Sequence, residues 1–165
     1  ALIGKRLGLS SEEIENRNDC AYLHDIGAIG IPDQILSKPG RLSEEEYALI
    51  KQHTLIGAHI LKDITLVPHL VEVTKSHHER YDGRGYPSQL VGEDIPYVAR
   101  IAAVADTFDA MTSKRSYRDS LPIDVVRSEI ERCSGTQFDP NIAKVFLDIM
   151  DNEFDLIREI QEKYK

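Results

Sequence analysis

The sequence predicts an all-α fold, a compact bundle of helices that forms one domain over residues 1–165. Apolar residues recur mostly at three- and four-residue spacing, which is typical of helices, and little strand signal is visible. Two stretches, S-S-E-E at Ser10 and S-E-E-E at Ser43, match the capping box that begins a helix. A chain of 165 residues is also long enough to bury one sizeable core.

The first helices are delimited by recognisable end signals. Residues 1–10 are interpreted as the end of a helix. The next helix is predicted to run from about Glu12 to Asp25, because Gly27 and Gly30 then supply the residues that commonly end a helix.

The middle of the chain contains two further predicted helices. Ser43 begins one of them, and Gly57 lies inside or between helical segments. Pro68 is expected to open the helix that leads to His77 and His78. The helix that begins at Ser43 is predicted to carry Tyr47, Ile50 and His53.

Residues 80–96 interrupt the helical pattern, since three glycines and two prolines within 17 residues indicate an ordered loop. Arg100–Met111 is so apolar that we predict a central, buried helix. A further helix is predicted over Pro122–Cys133. Asp139-Pro140 then begins the closing helix, with Asp as N-cap and Pro at the first position, and this helix is predicted to extend toward Lys165.

The composition limits the classes of function. Charged residues make up 29% and hydrophobic residues 41% of the chain, as in ordinary globular domains, and no apolar run is long enough to span a bilayer. The net charge of −8 argues against DNA binding. Cys20 and Cys133 form no disulfide pattern, and no secretory signal is visible, so we expect a cytoplasmic domain without membrane contact.

His24 and Asp25 stand next to each other at a predicted helix end. Such a pair offers a ring nitrogen and a carboxylate that can bridge two cations. Taken alone, it is more often a surface or capping pair.

His77, His78 and Glu79 end the helix before the glycine-rich loop. Two consecutive histidines point about 100° apart on a helix, so both serve one site only at a helix end or between two metals. A polar turn is the commoner explanation for an isolated pair.

Asp106 lies in a very apolar helix, where a carboxylate is costly to bury unless it is paired or bound to metal. Asp109 follows three residues later on the same side. His53 lies on a helix beside Leu49 and Ile50, where a lone histidine is more often a core residue than a ligand.

The combination of these weak signals on different helices predicts a two-metal site. Imidazole and carboxylate donors together suit Fe, Mn, Zn or Ni better than Mg. Two such ions can clamp a phosphodiester and activate the attacking water. No neighbouring chemistry supports a role for His59, and we expect His69 to be structural or exposed. The predicted ligands are His24, Asp25, His53, His77, His78 and Asp106.

Long stretches of the chain resemble the HD-GYP family, a subset of the HD-domain metal-dependent phosphohydrolases. They are LHDIGAIGIPDQILSKPGRLSEEEYALIKQH, HHERYDGRGYP, IPYVARIAAVADTFDAMTSKRSYR and FDP, and the match extends from about Leu9 to Leu147. The resemblance implies an HD-type bundle with an ordered GYP loop and a centre of two divalent transition metals, Fe or Mn before Ni or Zn. It also implies hydrolysis of cyclic di-GMP to pGpG or onward to GMP.

The resemblance also implies particular roles and partners. Asp25 is expected to bridge the metals and Asp109 to lie near the nucleophilic water, both as catalytic residues. Arg115 and Arg118 match positions that grip substrate phosphates, and Tyr86 of the GYP signature is a candidate substrate contact. Implied partners are an upstream sensor or receiver domain, as in two-component signalling, and diguanylate cyclases in the bacterial cell.

Two features depart from the family pattern. The position after H-D-I-G usually holds lysine, and here it is Ala28, so weaker stabilisation of the transition state is expected. Family members also carry a metal-binding histidine on the preceding helix, whereas no histidine precedes His24 in this sequence. We therefore expect the domain to be truncated at its N-terminal helix.

Two other functions stay open at this point. One is a catalytically weak or inactive domain that binds nucleotide or a partner protein, which Ala28 favours and the six matched ligands oppose. The other is hydrolysis of a different phosphoester, which the GYP loop and the arginine pair oppose. The choice among cyclic dinucleotides also stays open, because no base-reading residue is identifiable in the sequence.

Overall fold

The structure is a computed structural model that describes residues 1–113 and 120–163. Within these ranges the prediction of an all-α fold is confirmed, since the elements are α-helices and 3₁₀ helices joined by loops, with isolated β-bridges and no strand. No helix in the described ranges is both long enough and apolar enough to cross a membrane.

The helices follow one another in chain order. The 3₁₀ helices are Ile26–Gly30 and Gly92–Asp94. The α-helices are α1 (Leu2–Arg6), α2 (Ser11–Leu23), α3 (Asp33–Leu36), α4 (Glu44–Lys51), α5 (His53–Leu61), α6 (Leu70–Ser76), α7 (Tyr97–Thr112), α8 (Ile123–Arg132), α9 (Pro140–Asn152) and α10 (Phe154–Lys163).

Helix α7 is central, as its apolar sequence predicts, and it contributes to two hydrophobic clusters. Its Val104 and Phe108 pack with α8 and α9 in the larger cluster, where Phe108 meets Phe146 edge to face. Its Val98 packs with α2, α5 and α6 in the smaller cluster. Helix α7 therefore lies between two packed groups of helices.

The predicted helix starts at Ser10, Ser43 and Asp139 are confirmed. Both serines accept a hydrogen bond from the backbone N–H three residues on, and the glutamate there reaches back to the serine N–H. Asp139 accepts from the first turn of α9, and Pro140 occupies the first helical position.

Several predicted helix boundaries are wrong. Helix α2 ends at Leu23, and Gly27 and Gly30 lie inside a 3₁₀ helix. The helix that begins at Ser43 ends at Lys51, so His53 starts the separate helix α5. These breaks arise where the 3₁₀ helix packs closely against α5, a tertiary contact that helical periodicity does not reveal.

Two further boundaries differ from the prediction. Helix α6 begins at Leu70 and not at Pro68, since His69 adopts a left-handed conformation with φ 64°. The closing helix is broken at Glu153, and the new direction of α10 brings Ile157 into the larger cluster, where it is buried.

Candidate metal centre

The six predicted ligands come from four parts of the fold. His24 and Asp25 follow the end of α2, and His53 is the first residue of α5. His77 and His78 follow the end of α6, and Asp106 lies on α7. Helix ends aimed at one point, with α7 behind them, thus bring together residues up to 82 positions apart in the chain.

The distances define one compact cluster around Asp25. One oxygen of Asp25, Oδ1, lies 3.2 Å from His53 Nε2 and 3.4 Å from His77 Nε2, and the other, Oδ2, lies 3.5 Å from His24 Nε2. His24 Nε2 also lies 3.8 Å from Asp106 Oδ1. Potential ligand atoms of Asp25, His53, His77 and His78 all lie within 4.8 Å of one another.

Three histidines are oriented by hydrogen bonds to backbone carbonyls of the helices that precede them. The Nδ1–H of His24 donates to the Ala21 carbonyl at 2.6 Å, and that of His53 donates to the Ile50 carbonyl at 2.6 Å. His77 Nδ1 lies 3.1 and 3.0 Å from two carbonyls of α6. A carbonyl only accepts, so each Nδ1 carries a hydrogen, and each Nε2 is the nitrogen that presents a lone pair to the cluster when the ring is neutral.

His24 Nε2 provides a test of whether the cluster fits a cation. The atom is buried and has no hydrogen-bond partner among the described residues. A buried polar atom without a partner is costly. A cation among these imidazole nitrogens and carboxylates would satisfy this atom, so the residues fit a transition metal.

The electrostatics keep the carboxylates ionised. Contacts with His53 and His77 hold the pKa of Asp25 far below its usual range. Burial opposes ionisation of Asp106, but the neighbouring His24 outweighs it and lowers the pKa of that carboxyl. Both carboxylates are therefore charged at neutral pH, as cation binding requires.

Two histidines differ in their affinity for protons. Burial and the neighbouring His77 and His53 lower the pKa of His78 to about 3, so its ring is neutral. Burial also acts to lower the pKa of His24, but Asp106 and Asp25 outweigh it and raise the value to about 9. Binding of a cation at His24 would therefore displace a proton.

Gly27 and Gly57 set the distance between the first 3₁₀ helix and α5. A Cβ on Gly27 would lie 1.9 Å from the His53 carbonyl oxygen and 2.4 Å from the Gly57 nitrogen. Only glycine fits there, and this contact holds Asp25 against His53.

The GYP loop closes one side of the cluster. The Tyr86 ring stacks on His78 with centroids 4.9 Å apart and an interplanar angle of 29°. A Cβ on Gly85 would lie 2.3 Å from the backbone nitrogen of Arg80, so the loop can approach the end of α6 only with glycine at this position. The glycine thereby places Tyr86 beside the predicted ligands.

Glu79 is a supporting residue to which the sequence analysis assigned no role. It is 3% exposed, and its carboxylate accepts the backbone N–H groups of Ser88 at 2.6 Å and Leu90 at 3.1 Å. Glu79 therefore fixes the GYP loop beside His78. An acidic residue directly before a glycine-rich loop was the available signal.

The other predicted site residues are placed differently. Asp109 lies on α7 one turn beyond Asp106, and its side chain is exposed. Ala28 lies in the first 3₁₀ helix, three residues from Asp25. Arg115 and Arg118 lie outside the described residues. His59 and His69 are both exposed, which agrees with the expectation for His69.

The all-α bundle thus brings together a cluster of imidazole and carboxylate groups that could hold a metal ion. The sequence profile of the HD domain family matches residues 1–142. The chain belongs to the HD domain family, and its motifs and relatives place it among the HD-GYP proteins.

Three curated relatives are similar over most of the chain. A cyclic di-GMP phosphodiesterase of Thermotoga maritima is 42% identical over 94% of this chain and 43% of its own length. The cyclic di-GMP phosphodiesterase response regulator RpfG of Xanthomonas campestris is 43% identical over 88% of this chain and 39% of its own length. A 3′3′-cGAMP-specific phosphodiesterase of Vibrio cholerae is 40% identical over 92% of this chain and 29% of its own length.

The fold is also found in a solved structure. The crystal structure of a cyclic GMP-AMP specific phosphodiesterase of V. cholerae has a TM-score of 0.69 and 25% identity, and it covers 92% of this chain and 41% of the other. The chain thus spans less than half the length of these relatives.

Proposed function

We propose that this chain is the catalytic part of a metal-dependent phosphodiesterase that hydrolyses cyclic di-GMP to pGpG, GMP or both in bacterial second-messenger signalling. The observation that carries the proposal is the convergence of histidine Nε2 lone pairs and ionised carboxylates at one point beside the GYP loop. The similarity to named cyclic di-GMP phosphodiesterases supports the choice of substrate.

The proposed cofactors are two divalent transition metals, with Fe or Mn preferred over Ni or Zn. His24, Asp25, His53, His77, His78 and Asp106 would hold them. When bound, such ions neutralise phosphate charge and supply an activated water. The Asp25 carboxylate, close to three of the histidines, is in the position of a shared ligand.

The chain's own residues would then orient the substrate. His77 is fully buried, whereas the side chain of Asp25 is 60% exposed, so the cluster opens to solvent on the side of Asp25. Tyr86 provides a fixed aromatic wall beside this opening. Asp109, one turn along α7, would hold a proton near the reacting phosphate, and Arg115 and Arg118 would bind phosphate oxygens through their guanidinium forks.

The setting that we propose is two-component signalling in the cytoplasm, with an upstream sensor or receiver domain and contacts to diguanylate cyclases. The partial coverage of the relatives, one of which is named a response regulator, supports a longer protein.

A second candidate function is binding without turnover. Ala28 favours it, since no cation stands at the position next to the predicted ligands where the family usually has lysine. A domain of this kind would retain metal and nucleotide but would release no linear product.

Incubation of the Mn- or Fe-loaded protein with cyclic di-GMP under reducing conditions, followed by chromatography, separates the two functions. The proposal predicts metal-dependent appearance of pGpG or GMP. Binding of cyclic di-GMP without any product would instead establish the binding function, and hydrolysis of other phosphoesters alone would contradict both.

A further inference from the structure

We propose that the cavity beside the predicted metal centre is a guanine subsite in which Arg84 binds the O6/N7 edge of the base. The proposal rests on the proposed function, since it assigns one half of a cyclic dinucleotide to this cavity. The cavity has a volume of about 280 Å³, close to the lower end of the range for ligand pockets. Its wall includes His78, Tyr86, Arg80, Arg84, Thr107 and Gln137.

One wall of the cavity is a connected polar network. The Arg80 guanidinium donates to both oxygens of Asp82, at 3.1 and 2.8 Å, and to Gln137 Oε1 at 3.2 Å. Gln137 Nε2 in turn donates to the Thr107 hydroxyl at 3.3 Å. The charge of Arg80 is thereby neutralised, and the network holds the loop, the turn before α9 and α7 in one arrangement.

The side-chain acceptors of Gln137 and Glu79 along this wall already have donors. Gln137 Oε1 accepts from Arg80, and the two carboxylate oxygens of Glu79 accept backbone N–H groups. The Thr107 hydroxyl accepts from Gln137 and keeps its own hydrogen to donate. On this wall Thr107 and Arg84 are therefore left to donate to a ligand.

Arg84 is the cation available for such a ligand. Its backbone N–H is fixed by Asp82 Oδ1 at 3.1 Å. Within the described residues its guanidinium forms no hydrogen bond or ion pair, although it lines the same cavity as His77, His78 and Asp106. Arg84 thus offers an uncommitted fork of N–H donors next to the cluster.

The chemistry of this cavity matches guanine better than adenine. Guanine presents two acceptors, O6 and N7, on one edge, and the arginine fork donates to both. Adenine places a donor, the N6 amino group, where guanine has O6, so it would face Arg84 with donor against donor. The rings of Tyr86 and Tyr47 add aromatic surface against which a base can pack.

The test compares cyclic di-GMP, 3′3′-cGAMP and cyclic di-AMP with the Mn-loaded protein. We expect Arg84→Ala to lower kcat/KM for cyclic di-GMP about tenfold or more, which is the loss typical of one bidentate arginine–guanine contact. The kcat/KM for cyclic di-AMP should stay unchanged. Arg41→Ala, an exposed arginine outside the cavity, is the matched control and should change none of the three values. Metal content should be equal in all proteins.

A second measurement separates this inference from the proposed function. Binding of the same nucleotides to metal-free protein is followed by ligand-observed NMR, and guanine preference should again disappear in Arg84→Ala. If the loaded parent protein hydrolyses nothing but keeps this preference, the proposed function fails and the subsite stands. An equal loss for all three nucleotides would show a phosphate contact, and a parent protein without guanine preference, or a variant without change, would likewise overturn the subsite.

Discussion

His24, His53 and His77 each use Nδ1 to hold a backbone carbonyl of the helix that carries or precedes them, which leaves Nε2 facing Asp25. This division of the ring nitrogens decides what the cluster can do, because a histidine oriented by a hydrogen bond loses less freedom when it binds a cation. Asp25 is the common neighbour of the three histidines, so a substitution of Asp25 tests the cluster directly.

Asp25→Ala is expected to remove bound metal and hydrolysis together, since one carboxylate contacts three of the proposed ligands. Metal content is measured by elemental analysis and turnover by chromatography of the products. Asp33→Ala, which removes an exposed carboxylate from α3, should leave both values unchanged. Full turnover in Asp25→Ala would rule out the proposed centre.

Ala28→Lys tests whether a missing cation limits the rate. Ala28 lies in the 3₁₀ helix that follows Asp25, three residues further along the chain, and it is half-buried. Because a cation beside the developing charge stabilises the transition state, we expect kcat to rise by about tenfold or more, with unchanged metal content. A lower or unchanged kcat would mean that another group already supplies the charge.

At the scale of the element, the contact between the first 3₁₀ helix and α5 determines the site. Gly27→Ala would bring a methyl group into the His53 carbonyl, and backbone cannot move aside as a side chain can. We expect a loss of about 1–3 kcal/mol in the free energy of unfolding, the usual cost of overpacking, together with weaker metal binding because His53 is displaced from Asp25.

Gly30→Ala is the matched control in the same 3₁₀ helix. Its added Cβ meets the side chain of Ile56 at 2.9 Å, which can change rotamer. Chemical denaturation and metal titration of the two variants give the comparison. Equal effects on metal affinity in both variants would contradict a special role for the Gly27 contact.

At the scale of the whole molecule, Arg100 and Asp139 join the central helix α7 to the start of α9. Their side chains are only 12% and 3% exposed, and the Asp139 carboxylate also caps α9. Asp139→Ala would leave the Arg100 charge buried without its partner and remove the cap. We expect the free energy of unfolding to fall by about 3–5 kcal/mol in chemical denaturation.

Asp151→Ala is the control for that prediction. Asp151 of α9 forms a similar ion pair with Arg127 of α8, but its side chain is 46% exposed, so its loss should lower the free energy of unfolding far less than the loss of Asp139. If the two variants lose equal stability, burial of the Arg100–Asp139 pair does not contribute as argued.

The fold class, the capped helix starts and the residue types of the site could be predicted from the amino-acid sequence. Capping boxes at Ser10 and Ser43 and the N-cap at Asp139 act over three or four residues, so the local sequence contains all that they need. The adjacent pairs His24-Asp25 and His77-His78 also identified most of the cluster before its geometry was known.

The way in which these residues meet could not be predicted, because it depends on contacts between distant segments. The break between α4 and α5, the contact of Gly27 with His53 and the bonds from Glu79 to the GYP loop all join segments that are separate in the chain. Such contacts depend on packing between helices, which periodicity does not encode. The cavity that Arg84 shares with His78 likewise exists only because α7 and the turn before α9 close its far side.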